Sequence, residues 1–197
     1  MIDFPFVTPG IPDEFFLRNG TPLTREEVRA VALAKLRLSR QGVFWDVGAG
    51  TGSVAVEAAR LMPEGKVFAV EARPERMELI AANRERFGVE NLTVVPGEAP
   101  AALAGLPRPD RVFIGGSGSR LPEILAFLRA VLPVGGRLAL SAVTLETLQE
   151  GLVALQWPEW RGEVVSLTLA RGENLGRRRL LRGENPVFLV TAEREED

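Results

Sequence analysis

Cysteine, histidine and tyrosine are all absent from this 197-residue chain, and lysine occurs only as Lys35 and Lys66. The lack of cysteine excludes disulfides, thiol nucleophiles and thiolate metal sites, and the lack of histidine removes the usual proton shuttle and zinc ligand. No metal site is expected. No apolar run reaches the roughly 18 residues of a membrane span, so no membrane partner is expected. The N-terminus (MIDFPFVTPGIPDEFF) has neither the basic start nor the apolar core of a signal peptide, and the expected compartment is the cytoplasm. Excess positive charge is missing too: the net charge is -2 and the pI about 5.5, which argues against a nucleic-acid partner. What remains for proton transfer is carboxylates, two lysines, hydroxyls and water, a set that suits a reactive cofactor better than a side-chain nucleophile.

With 46% hydrophobic residues the chain can bury one full core, and a single domain over 1–197 is expected, with an N-terminal arm over residues 1–23. A helix is predicted from Thr24 through Leu38, where Thr24 and Glu27 form a capping box. Beyond it strands are predicted at 43–47, 66–71, 92–96, 110–114 and 137–143, and near 163–170 and 186–192. Helices are predicted between them at 52–61, 74–87, 99–104, 121–131 and 145–155. Such alternation is α/β: a doubly wound, mostly parallel sheet covered on both faces. Only RGENLGRRRLLRGEN (171–185) separates the last two strands, and without a helix between them they should pair antiparallel.

The chemistry concentrates in FWDVGAGTGSVAVEAA, residues 44–59, where an acid and three alternate glycines stand between a buried strand and a helix. Gly48, Gly50 and Gly52 form the bend, and a missing Cβ lets a ligand lie against backbone N–H groups. A dinucleotide fingerprint, G-x-G-x-x-G/A, would need Gly or Ala where Ser53 stands. The spacing resembles motif I of the S-adenosylmethionine-dependent methyltransferases instead. Glu71 ends the next strand, where an acid can accept hydrogen bonds from both ribose hydroxyls.

Further segments extend the resemblance over nearly the whole chain: GIPDEFF (10–16), PLTREEVR (22–29), PGEAP (96–100), FIGGSG (113–118), GGRLALSAVTLET (135–147) and NPVFLVTA (185–192). Together they resemble the cobalt-precorrin-6B carbon-15 methyltransferase (decarboxylating) family of cobalamin biosynthesis. The resemblance implies a Rossmann-like seven-stranded methyltransferase sheet with the last strand antiparallel, S-adenosylmethionine as methyl donor, a tetrapyrrole (corrinoid) substrate and a homotetramer. The implied reaction methylates carbon 15 and decarboxylates the ring C acetate.

Carried over by position, the resemblance implies cofactor contacts at Thr24, Gly48, Ala49, Gly50, Thr51, Gly52, Glu71, Glu98 and Ala99. On the substrate side, Gly115, Gly116, Ser117 and Gly118 replace the Asn/Asp-Pro-Pro-aromatic motif of many amino-methylating enzymes, leaving room for a broad flat substrate and N–H groups for its carboxylates. Arg171, Arg177, Arg178, Arg179 and Arg182 are candidates to bind carboxylate arms, with Arg171 and Arg178 foremost. No catalytic residue is assigned; Asp13, Glu14 and Ser117 are the candidates for a proton donor. Three rival readings stay open at this stage: a class I methyltransferase acting on a protein carboxylate or a tRNA base, a nicotinamide oxidoreductase, and a noncatalytic binding protein.

Overall fold

The computed structural model describes Ile2 and residues 4–196. Five parallel strands form first: β1 (Val43–Val47), β2 (Lys66–Glu71), β3 (Leu92–Pro96), β4 (Arg111–Ile114) and β5 (Arg137–Ala142). They are joined with β9 (Val187–Arg194) and β6 (Trp160–Leu167) in the order β3-β2-β1-β4-β5-β9-β6. β9 runs antiparallel to both its neighbours, so β6 points the same way as β1 to β5. The order reverses between β1 and β4, and in an open parallel sheet a ligand crevice forms outside the strand ends at that point.

Five helices cover the sheet: α1 (Glu26–Leu36), α2 (Ser53–Leu61), α3 (Pro74–Phe87), α4 (Leu121–Val131) and α5 (Leu145–Ala154). Successive strand residues point to opposite faces, and two cores result. Phe44, Val67, Phe113 and Ala139 pack with α1, α2 and α3, whereas Trp45, Val112, Ile114 and Leu138 pack with α4 and α5. Local signals mark the helix ends. Pro74 sits in the first turn of α3 and Gly88 ends it at φ 63°, while Thr144 caps α5 through Thr147 N–H at 3.2 Å.

One expectation needs correction, and one connection holds strands that the sequence reading did not predict. The capping box at Thr24 does not form: Arg25 holds the N-cap position without a side-chain cap, and α1 starts at Glu26. The Thr24 carbonyl is taken by the Arg29 guanidinium, which keeps the chain extended there. The same helix stops at Leu36 because Arg37 turns left-handed at φ 51°. Further on, the connection 171–185 holds no helix, as read from the sequence, but does hold strands. β7 (Ala170–Leu175) and β8 (Arg178–Gly183) pair as a separate antiparallel hairpin about Gly176 at φ 60°. Every residue of both strands is exposed, so no alternation of apolar and polar residues announces them. The last sheet strands, β6 and β9, do pair antiparallel as expected.

Candidate functional site

The glycine loop leaves β1 at the switch point, anchored by Gly48 N–H to Val70 O at 2.9 Å. Across it, Gly115 N–H donates to Val47 O at 2.9 Å, so the loops after β1 and β4 lie back to back. Gly48, at φ 69°, permits this approach: a Cβ there would stand 2.2 Å from the Gly116 carbonyl oxygen. Gly52 plays a similar part toward α3, where a Cβ would meet Ile80 Cγ2 at 2.9 Å.

Gly52 also occupies the N-cap position of α2 and offers no side chain to it. Asp46 supplies the missing acceptor from inside the sheet, its Oδ2 receiving Ala55 N–H at 3.0 Å. It is buried, and no cation lies within ion-pair distance of it among the described residues. Burial raises its carboxyl to about 7, partly offset by the Ala55 N–H and reinforced by the negative charge of Glu71. An uncompensated acid at the wall of a cavity is a site that a ligand cation can neutralise.

Glu71 ends β2 beside it. Its Oε2 accepts from Gly50 N–H at 2.9 Å and its Oε1 from Ala72 and Arg73 N–H at 3.0 and 3.1 Å, and Arg76 Nη1 lies 3.9 Å away. One carboxylate thus fixes the glycine loop to the end of β2.

Two cavities flank this pair. One of about 320 Å³ is walled by Pro22, Thr24, Arg25, Asp46, Gly48 to Thr51, Phe113, Gly115 and Ser141. The other, about 510 Å³, is walled by Glu71, Gly97, Glu98, Ala99, Ser117, Gly118 and Arg120. Both share Gly48, Gly116 and Arg76, so they meet over the glycine loop as the two halves of one cleft. A larger groove of about 660 Å³ lies elsewhere, between the N-terminal arm and the far ends of α2 and α3, away from both acids at the strand ends. The cleft is the better site because it holds the buried acids and the open backbone at the switch point.

The structure thus gathers most of the candidate residues. Thr24, Gly48, Ala49, Gly50, Thr51, Gly115 and Gly116 line the smaller half, and Glu71, Glu98, Ala99, Ser117 and Gly118 the larger. Gly52 lines neither half and serves the loop's shape. Glu98 is largely exposed and pairs with Arg120 at 3.4 Å.

The hairpin arginines are not brought to the cleft. Arg171 donates to Glu27 at 2.9 Å and Glu184 at 2.6 Å, partners that hold its guanidinium above the usual arginine range. Arg178 stands on the exposed hairpin and lines neither cavity. Of the candidate proton donors, Asp13 is paired with Arg29 at 2.7 Å, Glu14 is exposed outside the cleft, and Ser117 lines it. Arg25, Arg76, Phe113 and Ser141 escaped the sequence reading, because only the strand order carries them to the cleft. Asp46 carried a readable signal: an acid two positions before the first glycine.

The precorrin methyltransferase domain matches residues 14–194. A relative from Pyrobaculum calidifontis is 46% identical over 96% of this chain and 98% of its own length, and one from Salmonella typhimurium is 40% identical over 94% and 96%. The Salmonella relative carries the name cobalt-precorrin-6B C(15)-methyltransferase (decarboxylating), and the Pyrobaculum one the same name prefixed "Probable". The crystal structure of precorrin-6y C5,15-methyltransferase from Geobacter metallireducens superposes with a TM-score of 0.90 at 41% identity, covering 95% of this chain and 99% of that one.

Proposed function

The chain belongs to the precorrin methyltransferase family, and on that premise we propose that it is a decarboxylating C-methyltransferase of cobalamin biosynthesis. In this reading it methylates carbon 15 of (cobalt-)precorrin-6B and removes the carboxyl of the ring C acetate arm. The observation that carries the cofactor half is the pairing of Asp46 and Glu71 at adjacent strand ends around the glycine loop.

The residues fit S-adenosylmethionine. The ammonium of its methionine part would neutralise Asp46, whose carboxylate is buried without a cation. Gly48, Ala49, Gly50 and Thr51 would cradle the methionine and ribose, with Gly52 shaping the loop behind them and Thr24 facing them from the end of the arm. Glu71 would hold the ribose hydroxyls, and Ala99, with Glu98 beside it, would receive the adenine in the larger half of the cleft. When bound there the cofactor supplies an electrophilic methyl group, so no side-chain nucleophile is required. What the chain contributes is orientation and exclusion of water at the meeting point of the two halves.

Gly115, Gly116, Ser117 and Gly118 present little side chain, and that supports a broad, flat tetrapyrrole as acceptor. The Ser117 hydroxyl is the candidate to deliver the proton that completes the new methyl group after carbon dioxide leaves. Arg178, with Arg177 and Arg179, stands exposed on the hairpin outside the cleft, and its proposed role is to meet carboxylate arms that extend beyond the cleft. Arg171 reaches them only by giving up Glu27 or Glu184.

A hairpin exposed on both faces is marginal in water, and Leu175, Leu180 and Leu181 stand 51% to 74% exposed on it. These leucines support a homotetramer in which the hairpins are covered by neighbouring copies. No described helix is long and apolar enough to cross a membrane, and the compartment proposed is the cytoplasm, with no nucleic-acid partner at a net charge of -2.

The test is mass spectrometry of the product formed anaerobically from S-adenosylmethionine and the reduced precorrin-6 intermediate. One methyl gained with carbon dioxide lost is the expected result. An unchanged substrate mass with a cofactor-loaded protein would overturn the assigned acceptor.

A further inference from the structure

The GIPDEFF segment lines neither half of the cleft, yet it is held by fully buried polar groups. Glu57 of α2 accepts Gly10 N–H at 2.7 Å and Ile11 N–H at 3.0 Å. Arg29 of α1 donates from Nε to Glu57 at 2.7 Å, from Nη1 to Asp13 at 2.7 Å and to the Thr24 carbonyl, and from Nη2 to the Ile11 carbonyl. The Phe16 ring lies 4.8 Å from the guanidinium carbon and 4.8 Å from the Phe87 ring. Residues 10–17 are thereby a strap clamped across α1, α2 and α3.

Asn83 of α3 completes the clamp with no exposed surface. Its Oδ1 accepts Leu17 N–H, and its Nδ2 donates both to the Leu17 carbonyl and to the Thr51 carbonyl in the glycine loop, each at 2.9 Å. One carboxamide so joins the strap to the cofactor loop. Past Leu17 the chain runs directly over that loop: a Cβ on Gly50 would lie 3.6 Å from Pro22 O and 3.9 Å from Thr21 Cγ2. Pro22, Leu23, Thr24 and Arg25 then form a wall of the smaller cavity.

We propose that Asn83 is a positioning residue for the cofactor, setting the spacing between the glycine loop and the Thr21–Arg25 wall that roofs it. The role demands a carboxamide. One acceptor and two donors meet the three backbone groups, whereas a carboxylate offers no donor and a hydrocarbon neither. Asn83 does not line the cleft itself, so it acts through Thr51, which does, and through the strap. The proposal rests on the S-adenosylmethionine reading above.

Asn83→Asp is the sharpest variant, being nearly isosteric while losing both donors. Titration calorimetry with S-adenosylhomocysteine should show Kd raised about tenfold or more, about 1.4 kcal/mol, and turnover at saturating cofactor should stay near wild type. A folded Asn83→Asp protein that binds S-adenosylhomocysteine as wild type does would overturn the proposal. Limited trypsinolysis of the wild-type protein gives a second reading that does not depend on the variant folding. Arg18 is exposed in the turn between strap and wall, and S-adenosylhomocysteine should slow release of the fragment that begins at Asn19. Unchanged cleavage despite binding would overturn the roof. Failure of wild type to bind S-adenosylhomocysteine at all would instead overturn the cofactor reading on which the proposal stands.

Discussion

A Cβ on Gly48 would stand 2.2 Å from the carbonyl oxygen of Gly116, so the loops after β1 and β4 touch backbone to backbone. These loops meet where the two halves of the cleft join, since Gly48 and Gly116 line both.

Gly48→Ala should therefore separate the two loops as well as strain a residue at φ 69°. Backbone strain alone costs on the order of 1–3 kcal/mol, and the clash with fixed backbone adds to it. The expected result is a lowered melting temperature and loss of S-adenosylhomocysteine binding by at least about 100-fold, or roughly 2.7 kcal/mol, in calorimetry. Near-native affinity would show that the contact is dispensable.

Asp46 makes the stability of the ligand-free protein depend on pH. Its carboxyl is raised from 3.8 to about 7 by burial, so the folded state holds a proton that the unfolded state releases. Its contribution is fully present below about pH 4 and is lost as pH rises through 7. Asp46→Asn should remove that slope and stabilise the ligand-free protein above neutrality by roughly a few kcal/mol. It should at the same time weaken cofactor binding about tenfold or more, since the ammonium loses its counter-charge. Melting curves at pH 5 and pH 8 check the first part; parallel curves for wild type and variant would refute it.

Replacing Leu175, Leu180 and Leu181 by glutamate should break up the proposed homotetramer while sparing the cleft, because none of the three lines it. Light scattering coupled to gel filtration reads the mass, and calorimetry the cofactor affinity. A variant with the wild-type mass would remove the hairpin from the assembly.

Arg178 and Arg171 should separate in their effects. Arg178→Ala is expected to raise KM for the corrinoid several-fold with the melting temperature unchanged. Arg171→Ala additionally loses its ion pairs to Glu27 and Glu184, which are solvent-screened and so should change the melting temperature little. Steady-state kinetics with the corrinoid varied decides it, and an unaltered KM for Arg178→Ala would return that residue to a purely surface role.

Much of the fold is legible locally. The strand ending in Asp46, the glycine bend and the helix behind it occupy consecutive residues, and their periods of two and about 3.6 residues are written in the apolar pattern. Glu71 is readable because it ends the next strand. The box at Thr24 misled because the pattern T-R-E-E is a local preference of about 1 kcal/mol, and a buried guanidinium from Arg29 competes for the same backbone. The hairpin left no trace because neither of its faces is buried within one chain.

The amino-acid order alone settled the alternation of strands and helices, the glycine loop and the two acids, since each depends on neighbours a few residues away. Tertiary structure decided which elements share the cleft: β1 between β2 and β4, β9 inserted between β5 and β6, and the arm laid over the loop. It also gave Asn83 its meaning. An asparagine in a core-facing position of α3 reads as a flaw until Leu17, 66 positions before it, and Thr51, 32 before it, satisfy its donors and acceptor. A buried polar group must find partners wherever the fold provides them, and here those partners lie in other elements, beyond the reach of any local pattern.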